Sequence, residues 1–497
     1  MDSDNNRGFL VKSALKMIGS QYCLSIFNFF CYMYLFRVLS HIEIAIIAIF
    51  EILTSIYGFS ELGINSVMIK FCPSRLKADH DRDKAFGLIK LTIYVQGFIL
   101  FWMVTATIYF APFISSQFLK TDAYSWTIFI IAPGSALTIL FTTLRGIAQV
   151  NERYSLIAKW IFLAGVLKQS IAIPCFLIKG FKGYIIGITC ASIIPVIGLG
   201  FSIRHLLFNP SPVAPLWKTF IYGTPLFIRS FMRYGFKELD QTLIGLLLTP
   251  ELLATYSVAR RFINYLNQII GFFATTIMVR SLSLIDKPLT EMQNFSRQAM
   301  RYFYIIIIPV CICFSLASPW LMTVYGGSKF YFGWPILSLM AICQILYSFI
   351  SILSIYVFAL RLPKTTLLLH SSIGLFNYCF SPLLIINIGV YGVIFGQMIS
   401  FILGIFVATY MLRSYNISIH WSELSILVWP LILSVFVVLT GMYLSFNLWL
   451  IPLYFMIASV IFIVTLSKKL NDNDWEHIRD VCPQKITPSI EYLYHKR

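Results

Sequence analysis

About fourteen stretches of this 497-residue chain each run for about twenty predominantly apolar residues, the length a helix needs to cross a bilayer. They fall at 14–36, 43–68, 88–112, 124–147, 160–178, 184–203, 219–247, 254–279, 302–324, 335–360, 367–387, 390–412, 425–446 and 448–466. Lipid offers the backbone no hydrogen-bond partner, so a spanning segment must be a helix or part of a closed barrel. The runs are continuous rather than alternating, which excludes the barrel. Composition points the same way. Charged residues make up 12% and hydrophobic residues 58%, against about 25% charged in a soluble domain. A soluble enzyme, a secreted disulfide scaffold and a disordered chain are excluded. Most of the ten Cys lie in apolar runs, where they act as small hydrophobes, with no metal spacing and no disulfide framework. The expected fold is an all-α polytopic membrane protein whose first helix is retained rather than cleaved.

The net charge of +17 would suggest nucleic acid in a soluble protein; in a membrane protein it reads first as topology. With the N-terminus inside, twenty-seven of the 38 Lys and Arg fall on the cytoplasmic side and five on the other. Both termini are then cytoplasmic, and no nucleic-acid partner is implied. Six bases remain inside spans: Lys168, Arg229, Arg233, Lys237, Arg260 and Arg261.

Gly180-Phe-Lys-Gly183-Tyr-Ile-Ile-Gly187 has the pattern GxxGxxxG, and it recurs at Gly389-Val-Tyr-Gly392-Val-Ile-Phe-Gly396, an offset of 209 residues. The same offset lays the segment from Val38 to Ala45 on that from Leu247 to Ala254. It pairs spans 1–6 with spans 7–12 in one orientation, as in transporters built from parallel repeats with a substrate site between the halves. The expected organisation is a six-helix half at 1–210, a second at 211–413, and two extra helices with a cytoplasmic tail at 414–497. In that tail Asp474 reads as a helix N-cap.

Charge at bilayer depth is expensive and marks interiors or water-filled paths. Span 7 carries Arg229, Arg233, Lys237 and Asp240, whose spacing predicts one helical face. Span 8 carries Ser257, Arg260, Arg261, Asn264 and Gln268; span 2 has Glu51, Ser55, Gly58, Glu61 and Asn65; span 1 has Gln21, Ser25, Asn28 and Tyr32. Spans 1 and 2 are the repeat equivalents of 7 and 8. The pattern predicts a cavity that is acidic on the first half and basic on the second. Arg229 and Arg233 are expected to bind an anion. Asp240 and Arg260 either neutralise each other or face the cavity, and Glu51 with Arg260 is expected to form an outer gate. Glu43 and Glu238 read as interfacial, and Lys168 as snorkelling or paired. The loop acids Asp79, Asp81, Asp83, Asp286 and Glu291 read as solvated charges.

Five stretches carry a resemblance to a known family: Arg37-Val-Leu-Ser40 with Glu61-Leu-Gly-Ile-Asn-Ser66; Leu144-Arg-Gly-Ile-Ala-Gln149; Asp240-Gln-Thr-Leu-Ile-Gly-Leu-Leu-Leu-Thr-Pro250 with Ala254-Thr-Tyr-Ser-Val-Ala259; Pro309 with Val324-Tyr-Gly326; and Gly389-Val-Tyr-Gly392 with Gly396. The chain resembles the polysaccharide transporters of the multidrug/oligosaccharidyl-lipid/polysaccharide exporter superfamily, the Wzx-type lipid-linked oligosaccharide flippases. It departs from them at Ser40, where Gly is usual, at Glu61, where Asp is usual, and at Gln241, where Arg is common. The resemblance implies a V-shaped transporter of twelve or fourteen helices in the bacterial inner membrane. Such a protein moves undecaprenyl-diphosphate-linked sugar units outward by alternating access, without a cofactor and alongside surface-polysaccharide assembly proteins. Arg grips the oxygens of a diphosphate in bidentate fashion. Arg229, Arg233, Lys237, Arg260, Arg261, Asn264, Gln268, Gln21 and Asn28 are therefore the expected substrate-binding residues. The resemblance further implies coupling to a proton or sodium gradient, for which Glu51, Glu61 and Asp240 are the candidates. The competing readings are a peptidoglycan-precursor flippase, a multidrug cation antiporter of the same superfamily, and a membrane glycosyltransferase or polymerase. The antiporter is disfavoured by the Arg stripe, and the enzyme by the absence of a large extramembrane loop.

Overall fold

The computed structural model describes residues 2–77, 81–207, 211–285, 287–360, 363–415, 417, 429–433, 435–436 and 451–467. Asp79, Asp286, Asp474 and most of expected span 13 lie outside the described residues. The described residues form helices and connecting turns, with no strand among them. In chain order the helices are α1 Asp2–Val38, α2 His41–Tyr57, α3 Ile64–Lys77, α4 Arg82–Tyr109, α5 Ala111–Leu119, α6 Ser125–Val150, α7 Tyr154–Ser202, α8 Arg204–Leu207, α9 Leu216–Lys237, α10 Leu239–Leu247, α11 Pro250–Ser283, α12 Leu289–Leu316, α13 Ser318–Gly326, α14 Trp334–Ala359, α15 Pro363–Ile388, α16 Val390–Leu412 and α17 Ile451–Ser467. Among the described residues, nine helices are long and apolar enough to cross a membrane. The protein is a multi-pass membrane protein.

The longest of these, α7, accounts for two expected spans. Lys179 and Gly180 leave helical geometry inside it, Gly180 at φ +60°. After the reversal, Gly183 lies against the Cys175 carbonyl, and a Cβ at Gly187 would sit 2.7 Å from the Ala172 Cα. The GxxGxxxG motif is therefore a helical hairpin: its first glycine supplies the left-handed turn and the next two let the arms touch. The second copy repeats this. Gly389 has φ +60°, Gly392 lies against the Leu384 carbonyl, and a Cβ at Gly396 would sit 2.8 Å from the Ser381 Cα.

Several expected spans are broken, the third at Phe110 and the ninth at Ala317, and the breaks in spans 2 and 7 bear on the site. Span 2 ends as α2 at Tyr57, continues as a 3-10 turn over Gly58–Glu61, and passes through left-handed Leu62 and Gly63 into α3. The turn is wedged against α9, where Gly63 meets the Gly223 carbonyl with no room for a Cβ. Span 7 divides between α9 and α10 at Glu238, whose φ of −127° is not helical.

The chain forms two compact units. One comprises Met1–Val258 with His370–Ser400. Its core includes Met68, Ile89, Ile147, Ala148, Leu199 and Ile203, contributed by α3, α4, α6, α7 and the residue that follows it. The other comprises Ala259–Leu369 with Phe401–Arg497. There α12 packs on α14 through Tyr304 and Phe349, whose ring centroids are 4.3 Å apart, and through a 2.7 Å hydrogen bond between Ser315 and Ser338.

Candidate functional site

Inside the first unit, α2, α6 and α9 line a cavity of about 410 Å³. Thr54, Ser55, Gly58, Phe59 and Glu61 come from α2 and the turn that follows it, with Ile139 and Thr142 from α6. Ser230, Arg233, Tyr234 and Lys237 come from α9, and Glu238 from the break. Spacings of three and four residues place Ser230, Arg233, Tyr234 and Lys237 on one face of α9. The 3-10 turn tightens the chain after Tyr57 and carries Glu61 to the cavity wall.

Two acids and two bases thus share one chamber. The Asn65 amide donates to Glu61 Oε1 at 3.2 Å, and the Arg233 guanidinium acts electrostatically on the same carboxylate. Phe59 forms an aromatic shelf, with ring centroids 5.2 Å from Tyr234 and 5.6 Å from Phe231. Beneath the turn, a buried polar chain links Ser60, Gln96 and Thr143. Arg233 and Lys237 are solvent-exposed at the cavity and suit an anion with several oxygens; the aromatic shelf suits an uncharged ring.

The structure gathers some expected site residues here and leaves others elsewhere. Glu61, Arg233 and Lys237 line the cavity. Arg229, exposed and one turn away on α9, does not. Asp240 departs from expectation: the break at Glu238 removes it from the Arg229–Arg233–Lys237 face. It is buried in α10 and held by the Tyr256 hydroxyl and by the Gln241 backbone N–H at 2.8 Å. Glu51 is half-buried on α2, outside the cavity lining, and Gln21 and Asn28 lie on α1, the first exposed and the second half-buried. Arg260, Arg261, Asn264 and Gln268 belong to the second unit, with Arg260 buried.

Glu238, read as interfacial, lines the cavity. Glu43 instead completes a capping box: its carboxylate accepts from the Ser40 N–H at 2.7 Å, and its own N–H donates to Ser40 Oγ at 3.3 Å. Lys168 lies over the Phe50 ring at 4.6 Å. Of the loop acids, Asp81 pairs with Lys84 at 2.6 Å, Glu291 with Lys287 at 3.0 Å, and Asp83 accepts from Ser211 Oγ at 2.7 Å.

Three further residues near the site carried no sequence signal. His370 stacks on Phe236 with centroids 5.9 Å apart, near the α9 cations, and its Nδ1 is buried with no hydrogen-bond partner among the described residues. Asn377 and Gln397 donate to the carbonyls of Gly235 and Phe236. A lone polar residue in an apolar run announces itself only when its distant neighbour is known.

The chain is similar to known proteins in sequence profile and in fold. The sequence profile of the family described as polysaccharide biosynthesis protein matches residues 34–332. No curated protein matches the chain by sequence. Among solved structures, the lipid II flippase MurJ in an inward closed conformation is similar at TM-score 0.74 and 16% identity, over 91% of this chain and 98% of that one. An inward-facing multidrug resistance MATE family transporter of the MOP superfamily is similar at TM-score 0.59 and 16% identity, over 79% and 95%. A MOP superfamily transporter from Pyrococcus furiosus is similar at TM-score 0.54 and 14% identity, over 82% and 96%.

Proposed function

The chain belongs to the polysaccharide biosynthesis protein family, and we propose that it is a flippase for a lipid-linked oligosaccharide. It would carry the diphosphate headgroup of a polyprenyl-linked sugar unit across the bacterial inner membrane by alternating access of two six-helix halves, 1–210 and 211–413. The observation that carries this reading is the meeting of Arg233 and Lys237 with Glu61 in one cavity within apolar helices. Charges at such depth are retained for a path or a ligand. A volume of about 410 Å³ lies at the low end of ligand pockets. It suits a diphosphate and an adjoining sugar ring, while the rest of the glycan stays in water and the prenyl tail in lipid. Arg229, one turn along α9, extends the cationic track. Glu61 offsets the Arg233 charge and is the leading candidate to take up a coupling ion, proton or sodium. Arg260, Arg261, Asn264 and Gln268, and Gln21 and Asn28 of α1, are proposed as further substrate-binding residues. Movement of the substrate intact requires no catalytic group, so the protein acts as a transporter rather than an enzyme.

The test is surface glycan in cells that depend on this protein. Arg229→Ala with Arg233→Ala should abolish it at normal protein level; full glycan from the double variant would overturn the reading. A second reading, a peptidoglycan-precursor flippase, draws support from the MurJ-like fold. It uses the same diphosphate chemistry and would show itself by rescue of a strain lacking its precursor flippase.

A further inference from the structure

The repeat makes the break in span 7 informative. At the offset of 209 residues, Lys237 corresponds to Asn28 and Glu238 to Phe29. There α1 runs unbroken, whereas its counterpart stops at Lys237 and restarts at Leu239. The local sequence, Tyr234-Gly-Phe-Lys-Glu-Leu-Asp240, contains no proline and cannot by itself force the interruption.

Ending a helix orphans the carbonyls of its last turn. Two of them, on consecutive residues, are taken by side-chain amides. Asn377 Nδ2 donates to the Gly235 carbonyl, and Gln397 Nε2 donates to the Phe236 carbonyl at 2.8 Å. Asn377 is buried and is itself oriented by the Ser381 hydroxyl, 2.6 Å from its Oδ1. The two amides sit on opposite arms of the Gly389 hairpin, α15 and α16. Nearby, Gly374 of α15 lies against the Met232 carbonyl, so the hairpin presses on α9 with no intervening side chain.

The first repeat lacks this device. The positions equivalent to Asn377 and Gln397 are Lys168 and Ile188. Lys168 lies over Phe50, and Ile188 has no donor. The helix is broken in the repeat that carries amides at these two positions and continuous in the repeat that carries neither.

We propose that Asn377 and Gln397 are positioning residues of the anion site. By satisfying the Gly235 and Phe236 carbonyls they hold α9 ended at Lys237, which keeps that ammonium and the Glu238 carboxylate at the cavity. The assignment of a ligand to this cavity rests on the flippase reading; the geometry of the clamp does not.

The experiment reads the position of residue 237 directly. Lys237→Cys is reacted with an anionic, membrane-impermeant thiol reagent in native membranes, against the background of the protein's own cysteines. In the Gln397→Leu variant, and more strongly with Asn377→Leu added, the labelling rate should fall roughly tenfold, a shift of the size lost hydrogen bonds allow. Gln397→His, which restores an N–H donor, should recover it, whereas a simple packing defect would not be rescued. Unchanged labelling in both Leu variants overturns the proposal, as does a loss that His fails to restore. If the double variant does not accumulate, Gln397→Leu alone decides, since that side chain is only half-buried. Labelling needs no substrate, so a negative result here is distinct from full surface glycan in Arg229→Ala/Arg233→Ala, which would sink the flippase reading and leave the clamp standing.

Discussion

At the scale of single residues, Glu61 sets the character of the cavity. Its carboxylate is oriented by Asn65 and faces the Arg233 charge, so the chamber carries its own counter-ion. A diphosphate, as proposed, would have to compete with it. Glu61→Gln keeps the shape and removes the competitor. Inorganic diphosphate should then bind the purified protein several-fold more tightly by calorimetry; weaker binding would mean that Glu61 helps to hold the anion's partners in place. Ser40 is a second informative residue. Where the family commonly has glycine, this chain caps α2 with a hydroxyl and a reciprocal Glu43 carboxylate. Ser40→Ala should cost about 1 kcal/mol, seen as a lower thermal midpoint in detergent with surface glycan unaffected. Hydropathy alone reads Glu43 as interfacial; its capping role shows in the structure, where the S-x-x-E signature closes a capping box. The partner of Asp240 was not legible in the sequence, because Tyr256 lies on a different helix and the intervening break turns the carboxylate away from its expected face.

At the scale of elements, the spans are legible because each is a hydropathy signal local to about twenty residues. The GxxGxxxG hairpins are legible for a similar reason: the turn glycine and the packing glycines lie within eight residues of one another. Replacing Gly392 with Val would drive a branched side chain into the Leu384 carbonyl, so the variant should fail to accumulate, while Gly97→Val, where a Cβ meets nothing within 4 Å, should accumulate normally. Equal membrane levels of the two would contradict the hairpin packing. The breaks inside spans 2 and 7 could not be read, since hydropathy runs straight through them. One is set by Gly63 against Gly223, the other by amides 142 and 161 residues away from the carbonyls they satisfy. Those breaks deliver Glu61, Lys237 and Glu238 to the cavity, so the part of the site hidden from the sequence is its long-range part.

At the scale of the whole molecule, one composition serves two purposes. Most of the basic excess is expected on the cytoplasmic side, where it would fix orientation. Fluorescent-protein fusions to either terminus should therefore glow in the cytoplasm, and a dark C-terminal fusion beside a bright N-terminal one would require an odd number of spans. Of the few bases left inside expected spans, Arg233 and Lys237 line the cavity. The most direct test of the central claim is translocation itself. The purified protein would be reconstituted in proteoliposomes with a fluorescent polyprenyl-diphosphate oligosaccharide, and the fraction of headgroup crossing the bilayer followed with a glycan-cleaving enzyme added outside. The account predicts protein-dependent crossing that is lost in Arg229→Ala/Arg233→Ala. Crossing equal in the double variant and the unaltered protein, or no greater than in protein-free vesicles, would contradict it.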